Sequence, residues 1–167
     1  RASHLVVDDM EAQIAAARIG AERYIELIDR YNLETVLAAA DPMMNASEKM
    51  MRDAIKKIPD GTYEAIGHID GYENSNNPKE KNLPISVKVI VEDSNMTVDL
   101  TGTADQIDLP INMPLEGTVD VAIWLTIRSI LVDTAVLGHV PQNSGLTRPI
   151  KIIAPKGTLA NPNFPAP

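Results

Sequence analysis

Residues 83–101 read Leu-Pro-Ile-Ser-Val-Lys-Val-Ile-Val-Glu-Asp-Ser-Asn-Met-Thr-Val-Asp-Leu-Thr. Ile85, Val87, Val89 and Val91 alternate with Ser86, Lys88 and Glu92. After Asp93-Ser94-Asn95, the residues Met96, Val98 and Leu100 alternate with Thr97, Asp99 and Thr101. A period of two sends one set of side chains to each face of a strand. A short Asp/Ser/Asn break between two such runs is a tight turn. The stretch is therefore an antiparallel hairpin with one apolar and one wet face.

Working outward, Thr62 to Tyr72 is expected to add a third strand and complete a meander. The polar loop over residues 70–82, rich in Asn, Gly, Lys and Pro, joins it to the hairpin. Upstream of Gly61 the apolar period becomes three to four. Asp8 to Tyr31 predicts a long amphipathic helix with Asp8 as N-cap and Glu11 completing a capping box. Its stripe is Met10, Ile14, Ala17, Ala21, Tyr24, Ile25 and Ile28. Leu33 to Lys57 predicts a second helix, with a stripe from Val36 through Met44, Ser47 and Met51 to Ile55 and Ile58. Pro42 is expected to kink or split it, with Asp41 as a fresh N-cap, and Pro59-Asp60-Gly61 to stop it. Two helices joined by a short connection are expected to pack antiparallel.

Downstream, residues 103–114 are irregular. Gly117 to Val132 is apolar nearly all round and predicts a buried helix. Pro141 to Gly145 is a loop, and Ile150 to Ala154 a short strand. The fold class that follows is α+β: two long N-terminal helices and one buried helix packed on a small antiparallel sheet. The expected organisation is a single domain over residues 1–167, helical over 1–61, with the sheet and the buried helix over 62–167. The chain lacks an initial Met and ends in Asn-Pro-Asn-Phe-Pro-Ala-Pro, so both ends are expected to continue in something longer.

Composition narrows the function. The formal net charge is −8, the wrong sign for replacing counterions on nucleic acid or for an anionic membrane surface. No cysteine is present, so disulfides, thiolate nucleophiles and Cys-based zinc sites are excluded. No run approaches the roughly 18 apolar residues of a membrane span. His4, His68 and His139 sit in unrelated contexts without the spacing of a metal site. Neither a phosphate-cradling glycine motif nor a Gly-x-Ser-x-Gly elbow occurs. No catalytic residue, metal ligand or cofactor site is expected in this chain.

The most distinctive words lie between Asp99 and Arg148. Asp99-Leu100-Thr101-Gly102-Thr103 ends a strand in small polar residues. Pro110-Ile111-Asn112-Met113-Pro114 leads into the apolar helix, and Pro141-Gln142-Asn143-Ser144-Gly145 leads away from it toward Arg148. Small polar groups around a buried helix line pockets, which makes Asp99, Thr101, Asn112, Asn143 and Arg148 candidates for a pocket wall. The same residues have a plainer use. Asp99 and Asn112 can satisfy loop backbone, Gly102 and Gly145 can supply positive φ, and Arg148 can make an ion pair.

These words, with Arg148 to Leu159 and Asn161-Pro162, resemble the hydantoinase B family. That family takes in the B-type subunits of N-methylhydantoinases, the matching half of 5-oxoprolinase, and subunits of acetone and acetophenone carboxylases. Ala15 to Arg23, Met51-Arg52-Asp53-Ala54-Ile55 and Pro59-Asp60-Gly61-Thr62-Tyr63 are similar to the family in order and spacing. Family members are several times longer. The resemblance implies a segment of the B-type subunit of an ATP-dependent cyclic-amide hydrolase or ketone carboxylase, with a structural or pocket-wall role and no catalysis alone. It implies a hydantoinase A-type partner subunit and the rest of its own longer chain as contacts, a cytoplasmic location, and ATP with Mg and a further divalent metal in the parent complex. The metal region of the carboxylase relatives lies upstream of this kind of segment, and ATP handling belongs to the A-type partner. The alternative reading is a self-contained, non-catalytic assembly module.

Overall fold

The computed structural model describes the backbone of residues 3–167, with side chains described over 6–135 and 137–167. The elements are α1 (Ser3–Tyr31), α2 (Leu33–Ile55), β1 (Gly61–Gly71), β2 (Lys81–Glu92), β3 (Asn95–Asp99), α3 (Asp120–Leu131), α4 (Thr134–Leu137) and β4 (Ile150–Ile153). The class is α+β. Two compact units divide between Met43 and Met44, inside α2.

In the first unit α1 is already helical at Ser3, so Asp8 lies within the helix and is not its cap. The junction is Asn32, at φ 62°. Its N–H closes α1 onto the Ile28 carbonyl at 2.7 Å. Its side-chain oxygen accepts the Thr35 N–H at 2.9 Å, which caps α2. The expected antiparallel packing of the two helices does not occur: Met10, Ile14, Tyr24 and Ile25 remain 47–58% exposed. A single left-handed residue is too short a link for one helix to fold back along another. Pro42 does not split α2, which continues across it with its ladder short of one N–H donor, and Asp41 stays within the helix.

In the second unit the sheet order is β1-β2-β3-β4. β1 and β2 pair antiparallel from Gly61↔Val91 to Gly71↔Lys81. β2 and β3 pair antiparallel from Lys88↔Asp99 to Glu92↔Asn95, closed by Asp93-Ser94 with Asp93 at φ 52°. β4 joins β3 parallel, from Met96↔Ile150 to Asp99↔Ile153, which corrects the wholly antiparallel sheet expected from sequence. The reason is the connection. Residues 100–149 carry α3 and form the crossover that a parallel pair requires.

The core gathers Met51, Ala54 and Ile55 of α2, Val91, Met96, Val98 and Leu100 of the hairpin, and Val119, Val132, Val140, Leu146 and Ile150. α3 adds Ile123, Trp124, Ile127 and Leu131 along one side. Its other side leaves Val121, Leu125 and Ile130 exposed, Ile130 at 72%, so the helix expected to be buried all round is covered on one face. Among the described residues no helix is long and apolar enough to cross a membrane.

Candidate functional site

The end of β3 is built by its own sequence word. The Asp99 carboxylate accepts the Thr101 N–H at 2.9 Å. The Thr101 hydroxyl, then its N–H, hold that carboxyl below the usual aspartate range, and Lys88 on the paired position adds to this. Gly102 takes φ 97° and passes so close to β2 that an added Cβ would lie 3.3 Å from the Ser86 side chain. Thr103 then clasps Ser86. Its hydroxyl accepts the Ser86 N–H at 3.2 Å and donates to the Ser86 carbonyl at 3.3 Å. The Ala104 N–H reaches the Pro84 carbonyl at 2.8 Å. The word thus steps the chain off β3 and hands it back to β2. Thr101 also borders an open depression of about 500 Å³ with Glu64, Ser86 and Lys88, where Lys88 and Glu64 pair at 3.1 Å.

Asn112 is occupied by its own loop. Its carboxamide oxygen accepts the Ile107 N–H at 3.1 Å, and its nitrogen donates to the carbonyls of Ile107 at 2.7 Å and Leu109 at 3.0 Å. A further bond reaches the Pro167 carbonyl at 3.2 Å. Asn143 accepts the Gly145 N–H at 2.9 Å and donates to the fully buried Ser47 hydroxyl at 2.9 Å. That bond fastens the 143–147 turn to α2. Gly145 has ordinary φ, so the expected left-handed glycine is corrected here. What requires glycine is proximity: a Cβ would stand 2.0 Å from the Met44 carbonyl oxygen.

Arg148 also reaches α2, donating to Asn45 at 2.8 Å and to Glu48 at 3.1 Å. Arg52 holds the other Glu48 oxygen at 2.7 Å. Arg52 extends on to Asn95 at 2.8 Å and to the Ser94 carbonyl at 3.3 Å. With a guanidinium on each oxygen, Arg52 foremost and then Arg148, the Glu48 carboxyl is held below the usual glutamate range. Both oxygens are engaged, so this carboxylate is a structural anion and not a free base. Sequence reasoning missed Glu48 and Arg52, although their i,i+4 spacing on a helix is readable.

The five candidates therefore stand in three places. Asn143 and Arg148 meet on α2. Asp99 and Thr101 lie toward the opposite end of β3, whose Met96 pairs with Ile150 and Asp99 with Ile153. Asn112 belongs to the 107–112 loop. A separate hollow of about 540 Å³ lies between Pro114, Glu116, Lys156 and the tail at Asn161 and Phe164. An apolar groove of about 280 Å³ separates α3 from Val87, Val89 and Val98. His68 and His139 are exposed, and the side chain of His4 lies outside the described residues. Among the described residues no three His, Asp or Glu side chains are grouped to hold a metal ion.

Comparison with known proteins gives a consistent answer. The profile of the family described as hydantoinase B/oxoprolinase matches residues 1–167. The chain is 67% identical over 168 residues to a candidate B-type subunit of a D-/L-hydantoinase from Pseudomonas sp. (strain NS671), covering 100% of this chain and 28% of that protein. It is 24% identical to the beta chain of the caprolactamase of Pseudomonas jessenii, covering 95% of this chain and 26% of that one. The crystal structure of the ATP-dependent caprolactamase from Pseudomonas jessenii superposes with a TM-score of 0.72 at 25% identity, over 95% of this chain and 26% of that chain. The chain thus spans about a quarter of the length of these relatives.

Proposed function

The chain belongs to the hydantoinase B/oxoprolinase family, and from that premise we propose that it acts as scaffold and pocket wall within a B-type subunit of an ATP-dependent enzyme that hydrolyses cyclic amides or carboxylates ketones, with no turnover of its own. The supporting observation is how the polar candidates are employed. Asn112 and Asn143 spend their carboxamides on loop backbone and Ser47, Arg148 is bound to Glu48, and Asp99 turns the backbone at Thr101. Such residues fix loops; they are not poised to attack or to move protons. The cyclic-amide class rests on similarity to proteins named for hydantoin and caprolactam chemistry.

In this reading the subunit works with a hydantoinase A-type partner in the cytoplasm, and the complex supplies ATP, Mg and a further divalent metal. The described residues offer no grouped ligand set for such a metal. The test is co-expression with an A-type subunit, with ATP hydrolysis assayed against hydantoins, lactams, 5-oxoproline and ketones. Turnover is expected when this sequence stands within a full-length B-type subunit and not when the 167-residue chain is supplied alone. Turnover by the chain alone overturns the proposal.

A further inference from the structure

We draw no further inference here: the strongest candidate, the hollow lined by Glu116, Lys156 and Asn161 beside the tail at Phe164, carries nothing because its two charged side chains are solvent-exposed and nothing in the structure shows what fills it in a chain that spans about a quarter of its relatives' length.

Discussion

α1 and the C-terminal half of α2 are written in the same way, yet the structure treats them oppositely. Both carry apolar residues at steps of three and four. In α2 the stripe is shut away from solvent: Ser47 and Ile55 are 0% exposed and Met51 1%. In α1 the stripe stays about half exposed, Ile14 at 52%. The difference is supplied by what returns to each helix. The 143–148 turn binds Ser47, Asn45 and Glu48, and the 94–95 turn binds Arg52. Periodicity names the face a helix must cover; topology decides whether the same chain covers it.

The largest test of that contrast is Ile55→Ala. A fully buried Ile loses its transfer energy and leaves a cavity, so the urea unfolding of residues 44–167, followed through Trp124, should lose roughly 2–5 kcal/mol. A loss under about 1 kcal/mol would mean that this half of α2 is no better packed than α1. Next in size is Gly145→Ala. The new methyl group meets the Met44 backbone oxygen, which no rotamer can move aside, and the turn must lift from α2. Overpacking of this kind should cost about 1–3 kcal/mol. An unchanged midpoint would show that the turn sits loosely on the helix.

The same contrast explains how far the fold can be read in advance. The alternation over residues 83–101 gives the hairpin and its register because a tight turn and a one-sided core leave no other solution. The class follows from that hairpin and two long helical periods. The parallel seating of β4 is invisible in Ile150 to Ile153, since a short apolar run is compatible with either direction. It depends on the path of the crossover over 100–149. At α1, Asp8 followed by Glu11 has the form of a capping box, while helix formation continues upstream to Ser3, so a local motif misstates the boundary. For the site, Asp99 with Thr101 and Asn112 with its loop are local partnerships, readable at separations of two to five residues. Asn143 with Ser47 and Arg148 with Glu48 span 96 and 100 residues, and local sequence carries no sign of either.

A smaller effect, distinguished by its pH dependence, is expected at the clamp on α2. Glu48 has a lowered carboxyl pKa in the folded chain because Arg52 and Arg148 favour its charged form. A depressed acid adds stability that is fully present above the unfolded glutamate value of about 4.3 and is lost as the pH falls through the lower folded value. Arg148→Ala should therefore destabilise residues 44–167 at neutral pH, with the gap to the native chain closing as the pH drops through that window. Glu48→Gln should flatten the same limb, leaving a residual slope from Asp99, whose carboxyl is lowered by Thr101, and from Asp53, whose carboxyl is lowered by Lys49. Urea midpoints from neutral pH down through that window measure both. A gap that stays constant with pH would assign the Arg148 contribution to packing over Met44 and Asn45 instead of to charge.

The smallest expected change is Ile14→Ala, and it is the one that separates the two helices most sharply. Ile14 is as apolar as Ile55, but with 52% of it in water its truncation forfeits little burial within one chain. Alanine is also the better helix former, so α1 itself should not fray. Unfolding of residues 44–167, read through Trp124, should then shift by no more than about 0.5 kcal/mol. A loss above about 1 kcal/mol would show that the α1 stripe contributes to the stability of residues 44–167, in which case the contrast with α2 disappears.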